Sequence, residues 1–88
     1  MEAEEIMSRI AAAGLIDRID REEGIVYFID GFPQGDQGEE PAAMAARHVA
    51  FLQEHLQPLG LELYDTESDH VLVYGKIRAR QNAGEGGA

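Results

Sequence analysis

The stretch Ala13-Gly14-Leu15 and its counterpart Leu59-Gly60-Leu61 decide the fold of this 88-residue chain. In both stretches a glycine follows an apolar pattern of helical spacing and precedes an apolar pattern typical of a strand. Glycine is the usual residue after a helix, because it adopts the left-handed backbone conformation without strain. The two glycines lie 46 residues apart, and the two halves of the chain align at that offset without a gap. The sequence therefore predicts two copies of one helix–strand–strand unit.

Two helices are predicted, over residues 2–13 and 41–57. In the first, Ile6 and Ile10 recur at helical spacing, and three glutamates near its start complement the helix dipole. Pro41 suits the first turn of the second helix, where its missing N–H removes no helical hydrogen bond. One apolar stripe follows the second helix and contains Ala45, Val49, Leu52, Leu56 and Leu59.

Two β-hairpins are predicted from apolar runs rich in β-branched and aromatic residues. The paired runs are Leu15 to Asp20 with Ile25 to Asp30, and Leu61 to Asp65 with His70 to Arg78. The four residues 21–24, which end in glycine, are typical of a hairpin loop of three to five residues.

The predicted fold class is α+β, in the order αββαββ. A four-stranded antiparallel sheet carries both helices on one face. Residues 1–78 form a single domain, in which the units 2–30 and 41–78 are joined by a long loop over residues 31–40. Residues 79–88 have no apolar anchor and are predicted to be a disordered tail. An internal duplication would explain the match between the halves, and a chance resemblance between two αββ units is the alternative.

The charge balance restricts the classes of partner. The chain has 17 acidic and 7 basic residues and a net charge of −10. Repulsion from phosphates argues against direct binding to nucleic acid and to anionic membranes. A basic protein partner is favoured instead, because opposite charge speeds the encounter. Solubility alone and adaptation to salt are alternative explanations of the same charge.

The sequence has no feature of an exported or membrane-spanning protein. It contains no cysteine and no run of 18 apolar residues, and the N-terminal Met-Glu-Ala-Glu-Glu is unlike a basic signal-peptide start. We therefore expect a cytoplasmic protein.

The motifs of known catalytic and metal sites are also missing from the sequence. His48 and His55 lie about 10 Å apart along one helix, which is too far for one zinc ion. They are predicted to be histidines at the margin of the apolar stripe. The glycines of residues 31–38 are not followed by the Lys and Ser/Thr of a phosphate-binding loop. The sequence predicts a protein that is not an enzyme and that binds neither cofactor nor metal.

Strand alternation predicts an unusual surface, because successive side chains point to opposite faces of a sheet. The larger and more aliphatic set is assigned to the core: Leu15, Ile19, Ile25, Tyr27, Ile29, Leu61, Leu63, Val71, Val73 and Ile77. The set assigned to the helix-free face is Ile16, Val26, Phe28, Tyr64, Leu72 and Tyr74. Six large apolar side chains on a face that should be polar predict a partner-binding site, most simply for a homodimer. The alternative is that the 31–40 loop and the tail cover this face.

A second predicted surface is acidic. Its members lie in the two hairpin turns and the long loop: Asp20, Glu22, Glu23, Asp36, Glu39, Glu40, Asp65, Glu67 and Asp69. If the two turns are symmetry-related, these carboxylates form a negative rim that resembles the phosphates of a nucleic acid. If they are not, they are ordinary solvated turns.

Three functions follow from these features. The first is a small, acidic, non-catalytic protein-interaction module that associates with itself through the helix-free face. The second is a nucleic-acid-mimicking inhibitor of a basic nucleic-acid-binding complex, of the phage anti-defence or anti-CRISPR type. The third is a small enzyme or ligand carrier that uses the 31–40 loop as a lid.

Overall fold

The computed structural model describes residues 1–32 and 38–80, and it confirms the α+β fold in the predicted order. The elements are α1 (Ala3–Ala13), β1 (Arg18–Glu22), β2 (Ile25–Gly31), α2 (Pro41–Leu56), a 3₁₀ turn (Gln57–Leu59), β3 (Leu61–Ser68) and β4 (Leu72–Ala79). Residues 33–37 of the predicted loop, which include Asp36, and residues 81–88 of the predicted tail lie outside the described residues.

The four strands form one antiparallel sheet in the order β1-β2-β4-β3. Both helices pack their apolar stripes on the same face of this sheet. The buried core consists of Ile6, Ile10, Val26, Phe28, Phe32, Met44, Ala45, Leu52, Leu56, Leu61, Val73 and Ile77. The opposite face has no helix on it among the described residues.

Both predicted glycine caps are present. Gly14 (φ 63°) and Gly60 (φ 78°) adopt the left-handed conformation, and the N–H of Gly14 donates to the Ile10 carbonyl. The second cap closes the 3₁₀ turn rather than α2 itself. Pro58 explains the difference, because proline has no N–H to continue the α-helical hydrogen bonds.

The first hairpin closes more tightly than the sequence predicted. Glu23 (φ 55°) and Gly24 (φ 80°) form a two-residue turn with both residues at positive φ, as in a type I′ turn, and Glu22 pairs directly with Ile25. In such a hairpin directly opposed residues share a face of the sheet. Ile19, which packs against the core, therefore shares its face with its partner Phe28.

This register shows that the predicted face assignment in β2 is wrong. Val26 and Phe28 are each only 1% exposed and lie in the core, not on the helix-free face. Ile25, Tyr27 and Ile29, which were predicted to be buried, occupy the helix-free face instead. Their β1 partners there are the charged residues Glu22, Asp20 and Arg18, which the core could not hold.

Ile16 and Val71 also differ from the predicted assignment to the two faces, whereas the remaining predicted core residues agree with it. Ile16 packs against the core cluster instead of facing away from the helices. Val71 is 49% exposed because it precedes β4, in the connection from β3. The core side holds Leu15, Ile19, Leu61, Leu63, Val73 and Ile77 as predicted.

A β-bulge interrupts the pairing of β3 with β4. Tyr64 pairs with Lys76 and Glu67 pairs with Tyr74, so that Asp65 and Thr66 together oppose Gly75. Asp65 adopts φ 50°, a left-handed conformation that aspartate tolerates better than most residues. A Cβ atom at Gly75 would lie 2.9 Å from both the Asp65 carbonyl oxygen and the Thr66 Cα. Only glycine therefore fits opposite the bulge without a backbone shift.

The bulge explains why the gapless self-alignment of the chain fails in the last strand. The one extra residue in β3 changes the offset between equivalent core positions from 46 to 47, so that Val26 corresponds to Val73 and Phe28 to Gly75. Leu72 and Tyr74 consequently lie on the opposite face from Val26 and Phe28. The antiparallel order places the two αββ units in an approximately twofold arrangement about the β2–β4 pair. An internal duplication remains a hypothesis.

Gly75→Ala is expected to lower the free energy of unfolding by about 1–3 kcal/mol, because the added methyl group meets backbone atoms that cannot rotate away. The measurement is urea unfolding followed by circular dichroism. Gly31→Ala is the matched control, since its Cβ would meet nothing closer than 3.8 Å. The control is expected to be neutral or to stabilise the fold slightly. Equal unfolding midpoints for the two variants would contradict the role assigned to the bulge.

Candidate interaction surface

The helix-free face of the sheet, called here the open face, has an apolar centre between charged strands. Its apolar and aromatic residues are Ile25, Tyr27, Ile29, Tyr64, Leu72 and Tyr74. Its charged residues are Arg18, Asp20, Glu22, Glu62, Asp65, Glu67, Lys76 and Arg78. These assignments follow from the register of the four strands and from the burial of the alternate residues. Tyr64, Leu72 and Tyr74 lie on the face predicted for them.

All three tyrosines of the chain lie on the open face. Tyr27 and Tyr64 belong to one cross-strand row, with Lys76 between them, and Tyr74 lies in the next row beside Ile29. Tyr74 is 39% exposed and Ile29 is 41% exposed. Tyrosine is enriched at protein interfaces, because it contributes a large rigid contact area and a hydrogen-bonding hydroxyl group. A solvated sheet face would instead carry polar side chains at these positions.

The charged residues of β3 and β4 hold Tyr64 in place. The Arg78 guanidinium lies 4.3 Å from the centre of the Tyr64 ring, and its Nε donates to Glu62 Oε2 at 2.6 Å. Lys76 Nζ lies 5.7 Å from the same ring centre and donates to Asp65 Oδ2 at 3.2 Å. This hydrogen bond, together with the negative charge of Asp65, raises the pKa of Lys76. Two cations thus lie close to the ring, and each is itself held by a carboxylate of β3, which favours a preorganised contact surface.

The open face has two shallow grooves with a ridge between them. Tyr27 and Ile29 of β2 line both grooves and form the ridge between them. A groove of about 550 Å³ lies on the β1 side, and a groove of about 520 Å³ lies on the side of β4 and the bulge. Tyr74 and Glu67 line the second groove. The relief suits a broad protein partner better than an enclosed small molecule.

The open face carries charges of both signs. Its three basic and five acidic residues leave it at −2, whereas the chain as a whole carries −10. Lys76 and Arg78 are already paired with carboxylates of β3. Arg18 and Glu67 lie at opposite edges of the face and have no ion-pair partner within residues 1–32 and 38–80.

The predicted acidic residues do not form one rim. The turn of the first hairpin lies at the end of the sheet where Val26 pairs with Ile77, and the second turn lies at the other end, beside Gly31 and Leu72. Asp20, Glu22, Asp65 and Glu67 belong to the open face, whereas Asp69 accepts a hydrogen bond from the N–H of His70 within its own turn. Glu39 forms an ion pair with Arg47, Glu40 is the N-cap of α2, and Glu23 lies in the first turn.

A buried polar pair that the sequence reasoning missed lies on the core side of the sheet. Asp30 is only 5% exposed. One of its carboxylate oxygens accepts a hydrogen bond from the Asp17 N–H at 2.8 Å, and the other accepts one from His48 Nε2 at 2.6 Å. His48 does lie at the margin of the core, as predicted. A signal was present in the sequence, since Asp30 shares its strand face with Val26 and Phe28 and needs a buried partner there.

The described residues hold no arrangement suited to metal binding or to spanning a membrane. In residues 1–32 and 38–80, three or more His, Asp or Glu side chains nowhere converge as metal ligands would. His55 donates from Nδ1 to the Phe51 carbonyl. Within the same ranges, the helices are too short or too polar to cross a membrane. The lid hypothesis depends on residues 33–37, which lie outside the described ranges, and it stays a prediction.

No protein-family model, curated protein or solved structure matches this chain. The function is therefore inferred from the surfaces alone.

Asp30→Ala is expected to lower the free energy of unfolding by about 2–4 kcal/mol, because it leaves the partly buried Asp17 N–H and His48 Nε2 without their acceptor. Asp20→Ala is the matched control, since it removes the same charge from an exposed position and is expected to cost less than about 0.5 kcal/mol. Urea unfolding of both variants provides the comparison. Similar losses in the two would show that the Asp30–His48 pair does not stabilise the fold.

Proposed function

We propose that this protein is a non-catalytic protein-interaction module that binds a second copy of itself through the open face. The observation that carries the proposal is the position of the three tyrosines, all on one sheet face together with Ile25, Ile29 and Leu72. Isolated apolar residues are normal on a surface, but a contiguous group of aromatic and aliphatic side chains marks an interaction site.

The size of the open face supports a weak, reversible dimer. Four strands at about 4.8 Å spacing and about 23 Å of strand length give a footprint of about 440 Å² per copy. Two stacked copies thus cover roughly 900 Å² of projected area, and protruding side chains raise the accessible area above that. This is close to the lower limit of about 1,000 Å² for a specific interface, so we expect a dissociation constant in the micromolar range.

The charge distribution supports a second copy as the occupant. Two molecules that each carry −10 repel one another unless the approaching surfaces can set opposite charges against each other. The open face has three basic residues among its eight charged ones, so a second copy can do so there. It does not offer the strong negative potential that selects a highly basic partner.

The sheet edges favour stacking of faces over the addition of strands. The edge strand β1 has the sequence Arg-Ile-Asp-Arg-Glu, and the edge strand β3 contains the bulge at Asp65 and Thr66. Charged and bulged edges are devices by which sheets avoid edge-to-edge pairing. Self-association through the open face leaves both edges free.

Tyr74→Asp and Ile29→Asp are each expected to weaken self-association at least tenfold, because either change places an unpaired charge at the centre of the interface. Sedimentation velocity over a micromolar concentration series measures the effect. Phe51→Asp is the matched control, since Phe51 is a 47% exposed aromatic residue on α2, away from the open face. The proposal is wrong if all three variants associate like the parent chain, or if Phe51→Asp alone disrupts association.

Salt dependence separates self-association from binding to a basic partner. Self-association of a chain with net charge −10 is expected to strengthen as added salt shortens the Debye length from about 10 Å at 0.1 M towards about 3 Å at 1 M. Binding to a basic partner, as in the inhibitor hypothesis, would weaken over the same range. Measurement of the dimer dissociation constant at several salt concentrations gives the sign. A dimer that dissociates as salt increases would contradict an interface dominated by the apolar centre.

A further inference from the structure

We infer that the two open faces stack about a twofold axis parallel to the strands, so that Arg18 of each copy lies against Glu67 of the partner subunit. This inference rests on the proposed function, and it adds the orientation of the dimer and the ion pair that fixes it.

The strands of the open face differ in charge. The charged residues of β4 on this face are Lys76 and Arg78, both basic, and those of β3 are Glu62, Asp65 and Glu67, all acidic. In a face-to-face dimer with its axis perpendicular to the strands, every strand stacks on its own copy. Acid would then face acid along β3, and base would face base along β4. Like charges opposed across an interface weaken association, which disfavours this orientation.

An axis parallel to the strands removes this conflict from β4, where the bases then face β2, and leaves acid opposite acid in the row where Glu22 meets the partner's Glu62. Because the strand order is β1-β2-β4-β3, such an axis centred on the sheet stacks β1 on the partner's β3 and β2 on the partner's β4. It also leaves the position of every residue along the strand direction unchanged. A row, meaning four residues paired side by side across the four strands, therefore meets the same row of the partner in reverse order. The register of the strands thus gives the contacts between the two copies.

The row Arg18–Ile29–Tyr74–Glu67 is complementary to the same row of the partner in reverse order, because opposite charges face each other and apolar side chains face each other. Arg18 meets the partner's Glu67, and Ile29 meets the partner's Tyr74, with each contact made twice. Neither Arg18 nor Glu67 has an ion-pair partner in the described parts of the chain. The dimer would therefore provide the partners that the single chain does not provide.

The next row, Asp20–Tyr27–Lys76–Tyr64, also complements its reverse. Tyr27 meets the partner's Lys76, an arrangement that allows a cation–π contact. Asp20 meets the partner's Tyr64, whose hydroxyl group donates to carboxylates. The ridge of Tyr27 and Ile29 on one copy lies over the groove lined by Tyr74 and Glu67 on the other. Stacked sheets are rotated by about 30°, so the match is closest near the axis.

A charge exchange tests the orientation. Arg18→Glu and Glu67→Arg are each expected to weaken self-association roughly tenfold, because each places like charges opposite one another at two symmetry-related sites. The double variant Arg18→Glu/Glu67→Arg restores opposite charges and leaves the net charge unchanged. It is expected to dimerise within about threefold of the parent chain. Sedimentation equilibrium measures all four dissociation constants.

Two further variants complete the experiment. Glu54→Arg makes the same charge change as Glu67→Arg, but on an exposed position of α2, and it controls for net charge. Arg18→Asp/Asp20→Arg tests the perpendicular axis, which stacks β1 on itself. If the parent chain dimerises, two results would overturn the orientation while the open face remained the interface. One is an Arg18→Glu/Glu67→Arg double variant that does not regain the dimer, and the other is an Arg18→Asp/Asp20→Arg double variant that dimerises like the parent chain. A parent chain that stays monomeric at every concentration would instead overturn the proposed function.

Discussion

The sheet depends on one close backbone approach, where Asp65 and Thr66 of β3 bulge over Gly75 of β4. Unbroken pairing of Tyr64 with Lys76 would continue to Glu67 opposite Val73, a residue that is fully buried. A carboxylate there would lie on the helix-bearing side of the sheet. The extra residue places Glu67 opposite Tyr74, on the open face, and leaves Ser68 opposite Val73. A single inserted residue thus decides on which face of the sheet Glu67 lies.

The same bulge keeps the two faces of the sheet chemically distinct. On the core side, Phe28 lies opposite Gly75, so that the largest buried side chain has the smallest residue as its neighbour. On the open side, the bulge places Glu67 at one edge of the row that contains Tyr74, and Arg18 lies at the other edge of that row. The proposed interface and its proposed ion pair therefore both depend on where the extra residue lies. The two-residue turn at Glu23 and Gly24 has the matching effect in the first hairpin, since it places Ile19 opposite Phe28.

The helices, the order of helices and strands along the chain and the glycine caps could be predicted because each depends on local periodicity and turn chemistry. The assignment of faces could not be predicted in the same way. Alternation divides a strand into two sets, and the length of a turn or the presence of a bulge decides which set is buried. In β2 the more aliphatic set, Ile25, Tyr27 and Ile29, looked like the core. The set that is buried contains an aspartate, and that is possible because His48, from a distant helix, supplies its partner.

Of the predicted partner-binding residues, Tyr64, Leu72 and Tyr74 lie on the open face, whereas Ile16, Val26 and Phe28 belong to the core side. Ile25, Tyr27 and Ile29 take their places, so the helix-free face is still rich in apolar side chains. The chain has no tryptophan, and all its tyrosines are on the open face, so tyrosine emission reports on that surface alone. The most direct test of the central claim is sedimentation equilibrium of the unmodified chain from micromolar to millimolar concentration, with tyrosine quenching by acrylamide measured on the same samples. We predict that the mass rises from one chain to two and that the tyrosines become protected over the same concentration range. A constant monomer mass with unchanged tyrosine quenching would contradict it.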